Sequence, residues 1–218
     1  MTQLTRGVVL GLVGVVAFTA AIGCSSATEP LKVGVPSGWS PVGLNSASYT
    51  VGIDHRTVHG GSAALTITGT DTSRVRFSGV GQFLRADTYR GKRIRLRAWV
   101  QQQSIVGSDI GLWMRIDGPG VMQGFDNFST RPLVGTAGWH AVEVILDVPD
   151  DAIGVAFGVL MSGSGALFVD DMTFEVIPST GPTTNQLAGF VAGPDSASAV
   201  ASYARSGNTP VNLDFESR

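Results

Sequence analysis

Lys92-Arg93-Ile94-Arg95-Leu96-Arg97-Ala98-Trp99-Val100-Gln101 is the stretch that decides the fold. Ile94, Leu96, Ala98 and Val100 take every second position, and Arg93, Arg95, Arg97 and Trp99 take the positions between. Successive side chains of a strand point to opposite faces, so a period of two predicts a strand with one face in a core and one outward. A helix would scatter the same apolar residues around its circumference. Gly111 to Asp117 repeats the arrangement, with Leu112, Met114 and Ile116 set against Trp113, Arg115 and Asp117.

Working outward, Ala63 to Thr68 alternates after the turn-like His59-Gly60-Gly61-Ser62, and Arg74 to Phe77 alternates again. Val142 to Leu146, Ile153 to Met161 and Ala166 to Ile177 continue the theme between Gly, Pro, Asp and Ser breaks. Short strands with no helical segments between them predict an all-β chain. The expected architecture is an antiparallel β-sandwich of jelly-roll type over residues 36–177.

The two ends read differently. Arg6 precedes an apolar run from Gly7 to Ala21 that is too short to span a bilayer, which predicts a secretory signal over 1–23. Ala21-Ile22-Gly23-Cys24 resembles a bacterial lipobox, with Ala21 where Leu is usual. That resemblance implies a diacylglyceryl thioether on Cys24, an acylated amino terminus and lipid anchoring in the cell envelope after export. Ser25 is similar to the address of outer-membrane lipoproteins, so the expected place is the outer membrane or the cell surface. An ordinary cleaved signal would leave Cys24 without that role. It is the only cysteine, so no disulfide forms within the chain. Residues 24–35 read as a tether. Residues 178–210, rich in Ser, Thr, Ala, Gly and Pro, read as a low-complexity, disordered linker. Residues 211–218 then resume strand character, and Val211 to Glu216 is expected to dock as a strand on the sandwich. Docking there would bury Leu213 and Phe215 and leave Asp214 and Glu216 outward, with Glu216 near Asp171.

The formal net charge is −2, and losing Arg6 with the signal makes it −3. So weak an acidic balance gives no general attraction for nucleic acid, which is not expected as a partner.

Gly38-Trp39, Asp54, Val58-His59-Gly60-Gly61-Ser62 and Tyr89-Arg90-Gly91-Lys92-Arg93-Ile94 resemble the opening of a carbohydrate-binding-module-like jelly roll, also called galactose-binding-like. Gly111 to Gly118, Phe125-Asp126-Asn127, Gly138-Trp139 and Val169-Asp170-Asp171-Met172 extend the resemblance over about 36–177. Its middle is similar to a bacterial module that also occurs beside helix-turn-helix regulators; no such DNA-binding segment stands in this sequence. Asn212-Leu213-Asp214-Phe215-Glu216 resembles the family's opening strand, displaced to the other end of the chain.

Trp113, Arg115 and Asp117 share one face, where a ring and two charged groups suit sugar recognition. Trp99 and Arg97 present a similar face on what reads as another strand, and pairing would set all five in one concavity. The competing reading makes Trp113 a plug in a second core layer, with Arg115 and Asp117 paired at its rim. Asp126 and Asn127 sit in a loop that suits either ligand binding or a simple turn. Asp54, Asp170 and Asp171 resemble the structural calcium position of glycan-binding jelly rolls, with Asp54 and Asp171 as the expected ligands; otherwise they cap strand ends. No other cofactor is expected. The sequence lacks a Gly-x-Ser-x-Gly elbow and a phosphate-cradling loop, and His55, His59 and His140 lack zinc spacing. Carboxylate pairs such as Asp117 with Asp126, or Glu143 with Asp147, have nothing particular to mark them. The expectation is a membrane-anchored, non-catalytic binding module for carbohydrate. A structural or protein-interaction module of the envelope is the alternative, and a glycan-active enzyme comes third.

Overall fold

The computed structural model describes residues 32–43, 47–70, 76–188, 191–192, 201 and 203–217. The expected signal segment 1–23 and Cys24 lie outside them, as does Arg74. In chain order the strands are β1 (Lys32–Val33), β2 (Ser40–Gly43), β3 (Tyr49–Asp54), β4 (Ala64–Thr70) and β5 (Ser78–Arg85). They continue as β6 (Lys92–Gly118), β7 (Val121–Asp126), β8 (Gly135–Val148), β9 (Gly154–Ile177) and β10 (Val191–Ala192).

The two alternating stretches of the sequence belong to one strand, β6, which is 27 residues long. It runs antiparallel to β9, of 24 residues, from Arg93 opposite Ile177 to Asp117 opposite Gly154. The register shifts between Gln103 and Val106, and again between Gly107 and Ile110. At these bulges the two strands bend together and pass from one sheet into the other. Only glycine fits at the bend: a Cβ on Gly107 would lie 2.1 Å from the Ser162 carbonyl oxygen, and one on Gly163 2.2 Å from that of Val106.

Each half of the pair therefore anchors its own sheet. The first sheet runs β1, β3, β4, the second half of β9, the first half of β6, β8. The second runs β2, β5, the first half of β9, the second half of β6, β7, β10. This is an antiparallel β-sandwich. Ile94, Leu96, Ala98 and Val100 from one half of β6 share a core with Leu112, Met114 and Ile116 from the other. Phe157 and Phe174, from opposite halves of β9, meet across that core with ring centroids 4.8 Å apart. Fully burying one such ring contributes roughly 1.5–3 kcal/mol.

Three stretches read as tether or linker behave otherwise where they are described. Lys32 and Val33 pair with Ile53 and Gly52 as β1. Thr184 N–H donates to Ile145 O (2.8 Å) and Gln186 N–H to Phe125 O (2.7 Å). So this part of the expected linker covers the edges of β8 and β7, capping strands that would otherwise offer unpaired backbone. Val191 and Ala192 pair with β7.

The C-terminal segment docks, but not as the expected strand. Asn212 and Phe215 take left-handed φ values of 47° and 60°, which break an extended run into turns. Arg85 N–H donates to Gly207 O, and Gln82 and Val211 exchange bonds of 2.6 and 3.0 Å. Trp39 Nε1 donates to Asn212 O, and Met172 N–H to Leu213 O. Phe215 is 1% exposed and packs on Trp39 at 5.4 Å, while Leu213 is half-buried against the core. Glu216 does not meet Asp171. Its carboxylate accepts from Ser62 N–H, Ser62 Oγ–H and Ala63 N–H at 2.6, 2.6 and 3.0 Å, whereas Asp171 holds the same loop through His59. These bonds, Ser62 first, hold the Glu216 carboxyl below its ordinary range.

Candidate functional site

Trp113 stands opposite Gly158 on β9, which stands opposite Gly81 on β5. A Cβ on Gly81 would lie 2.6 Å from Trp113 Cζ2, and one on Gly158 2.9 Å from its Nε1. The indole therefore lies across the outer face of the second sheet, resting on two glycines. Glycine within a strand marks close approach of another group, and here that group is the tryptophan. Trp113 is 8% exposed and packs with Ala156, Leu160, Val42 and Phe83; its indole N–H finds no acceptor among the described residues.

Above this floor lies a cleft of about 580 Å³. Val42 and Gly43 of β2, Phe83 of β5 and Phe77 just before β5 form one wall; Met122 and Phe125 of β7 form the other. Arg115, Asp109, Asn127 and Ser162 supply polar groups. Five neighbouring strands span about 19 Å at the usual spacing, the reach of several linked pyranose rings. Phe77 is 41% exposed and overlies Gly43, so its ring presents a free edge to the cleft.

The polar groups are held in place. Arg115 donates through Nε to Asp117 Oδ2 at 3.0 Å, and its Nη2 stands in ion-pair contact with the same oxygen at 2.9 Å. Asp117 is fully buried, and the same oxygen accepts from Tyr203 Oη–H at 2.5 Å. Burial works against the charge on Arg115, but Asp117 outweighs it and holds the guanidinium above its ordinary range. Burial first, and Asp117 second, push the Tyr203 phenol well up, so it keeps its proton and donates. On the same long strand Asp109 accepts from Ser108 Oγ–H (2.7 Å) and Asn127 Nδ2 (2.9 Å).

Of the residues marked in the sequence, Trp113, Arg115 and Asn127 line this cleft. Asp117 lies beneath it. Asp126 is fully buried, where it accepts from Phe128 N–H and forms an ion pair with Arg131 at 2.6 Å. Asp117 and Asp126 thus each answer an arginine rather than each other. Trp99 and Arg97 are elsewhere, which corrects the expected shared concavity. They belong to the first half of β6, whose outer side faces away from that of the second half. Trp99 stacks on His59 at 4.1 Å, and His59 meets Trp139 edge-on at 5.6 Å. Arg97 lines a separate groove with Arg131 and Glu143. The sequence reading missed Phe77, Phe83, Asp109, Ser162 and Tyr203. Gly79, Gly81 and Gly158, alternating within strand patterns, were the available sign of a close approach there.

The expected calcium position does not fit the ion. Asp54 Oδ1 accepts from Arg56 and Thr57 N–H at 2.6 and 2.7 Å. Asp170 Oδ2 accepts from His59 and Gly60 N–H at 2.8 and 3.0 Å, and Oδ1 from Asp171 N–H. Asp171 Oδ2 is bonded to His59 Nδ1 at 2.6 Å. The loop turns amide donors toward these carboxylates, whereas calcium needs oxygens turned inward. Among the described residues no three His, Cys, Asp or Glu side chains gather where a metal would be held. Burial nonetheless keeps the Asp170 carboxyl above its ordinary range, despite its three amide donors.

No protein-family model matches the chain. It is 36% identical over 183 residues to the uncharacterized HTH-type transcriptional regulator YbfP of Bacillus subtilis (strain 168), matching 82% of this chain. The chain spans 56% of that relative's length. Among solved structures, a Stig cyclase from Fischerella sp. TAU superposes with a TM-score of 0.52 at 13% identity, covering 72% of this chain and 93% of the cyclase. That likeness is one of fold. The CBM22-1 xylan-binding domain of Paenibacillus barcinonensis Xyn10C gives a TM-score of 0.45 at 13% identity, covering 70% of this chain and 99% of that domain.

Proposed function

We propose that this sandwich is a non-catalytic binding module whose ligand is a neutral carbohydrate chain lying across the outer face of the second sheet. The observation that carries the reading is the cleft over Trp113, walled by Phe77, Phe83 and Phe125 and supplied with fixed polar groups. Sugar rings offer apolar faces to aromatic side chains and hydroxyls to polar ones, and a concave, mostly apolar site with few placed polar groups meets both needs. Neutral chains are favoured because Arg115 is already answered by Asp117, and Asp109, on the same long strand, adds a further negative charge to the cleft. A uronate or sulfate would meet no net positive charge.

Titration with xylohexaose, cellohexaose and β-1,4-galactotetraose, beside oligogalacturonate as the acidic comparator, tests the reading. Binding of a neutral oligosaccharide that weakens in Trp113→Ala supports it. Binding of none of the neutral chains, or only of the acidic one, overturns it. The likeness to a named transcriptional regulator gives a second use for the same cleft, as the ligand-sensing part of a longer protein. Acylation of Cys24, with anchoring in the cell envelope, completes the proposal for the amino-terminal end.

A further inference from the structure

We infer that Tyr203, brought in by the C-terminal segment, is a positioning residue of the cleft: its hydroxyl orients Asp117, and Asp117 orients the Arg115 guanidinium that faces the ligand. The inference rests on the reading of the cleft as a binding site and adds a residue that lines none of it. Asp117 Oδ2 accepts from two donors, Arg115 Nε and Tyr203 Oη, and stands in ion-pair contact with Arg115 Nη2 at 2.9 Å, while Oδ1 is buried with no hydrogen-bond partner among the described residues. A buried carboxylate bonded through one oxygen alone has its rotation set by those donors. Removing the hydroxyl frees it to turn, and Arg115 turns with it.

Tyr203 is built into this place. It is 3% exposed, and its ring covers Gly154, the residue opposite Asp117, where a Cβ would come within 2.3 Å of the ring. The ring also stands 6.4 Å from that of Phe83 in the cleft wall. The chain beyond it is tied to β5 by Gly207 and Asn208, which accept from Arg85 N–H and Nε at 3.0 and 2.8 Å. A ring that only plugged the sheet end would not need its hydroxyl on Asp117.

Tyr203→Phe keeps the ring and removes the hydroxyl. The test is solvent exchange of the Arg115 Nε–H, read by NMR on the whole protein with backbone amides as the internal control, beside affinity for the oligosaccharides named above. In Tyr203→Phe the Nε–H exchange should quicken about tenfold, with strand amides unchanged, and oligosaccharide affinity should fall about tenfold, the size of one charge-assisted bond. Asp117→Asn should give the same two changes, and the double variant little more, since both act on one chain of contacts. Glu216→Gln, which weakens one exposed contact at the far end without unseating the segment, should leave the Arg115 signal as it is. Nε–H exchange within twofold of wild type in Tyr203→Phe would overturn the inference. Should exchange respond while wild type binds no oligosaccharide, the positioning role stands and the carbohydrate reading falls.

Discussion

Replacing Phe215 by alanine tests whether the C-terminal segment is part of the folded domain. Its ring is 1% exposed and lies 5.4 Å from that of Trp39, which in turn meets Phe157 edge-on at 5.9 Å, so it closes one end of the core. Truncating a buried phenylalanine typically costs about 3–5 kcal/mol, the lost transfer free energy plus the cavity left behind. The segment is held by separate hydrogen bonds rather than by a strand ladder, so it can detach instead, and the cost cannot exceed the free energy of seating it. The lower figure is therefore the better expectation, about 3 kcal/mol. A domain of this size loses roughly 2–4 °C per kcal/mol, so the melting temperature should fall by about 6–12 °C. Calorimetry on the purified protein reads this directly, and deleting residues 208–218 should match or exceed it. Leu213→Ala, at a half-buried side chain, should cost about 1 kcal/mol. A Phe215→Ala melt within 2 °C of wild type, in calorimetry and in urea alike, would refute the reasoning, because it would mean that the core does not use the ring.

Trp113→Ala should reduce oligosaccharide affinity at least about tenfold, whereas Trp99→Ala, on the opposite face, should leave affinity within twofold; titration calorimetry distinguishes them. Gly81→Ala places a Cβ 2.6 Å from the indole and should lift it, weakening binding and shifting tryptophan fluorescence. The Glu216 carboxyl is held below its ordinary value, so its contribution is fully present above an unfolded value near about 4.3 and disappears as the pH falls through the folded value. The stability gap between wild type and Glu216→Gln should therefore close below about pH 4, and it should be under about 1 kcal/mol because the group is exposed. Cys24→Ser should release the protein from the membrane fraction or leave it unprocessed; equal retention would remove the acylation proposal.

The alternation at Ile94, Leu96, Ala98 and Val100, and again at Leu112, Met114 and Ile116, was enough to assign faces, because a period of two has one geometric meaning. It could not show that both runs lie on one strand. That depends on bulges at Gln103 to Ile110, whose sequence reads as a break, and the consequence is large: continuous halves serve opposite sheets, so Trp99 and Trp113 face away from each other. Asp117 and Asp126 illustrate a second limit. A carboxylate on an outward strand position is legible as polar and outward, but not as covered, and here Tyr203 covers Asp117 while Arg131 answers Asp126. The tail was legible as a docking motif from Leu213 and Phe215. Its conformation was not, because the left-handed Asn212 and Phe215 are set by tertiary contacts rather than by local propensity.

The C-terminal segment also ties the core to the cleft by its path. At Tyr203 it lies on the outer side of the second sheet, over Gly154; at Gly207 it bonds the end of β5; at Val211 it meets Gln82, on the inner side of that strand; and at Phe215 it enters the core. It wraps the end of one strand, whose next residue, Phe83, stands in the cleft wall. Because Gln82 and Phe83 point to opposite faces, a seated tail fixes the strand from within while Tyr203 fixes Arg115 from without. A ligand that needs Arg115 in place binds the seated form better, and by linkage it must stabilise that seating by the same free energy. Protection of the Val211 and Glu216 amides from hydrogen exchange should therefore rise when oligosaccharide occupies the cleft on the far side of β5.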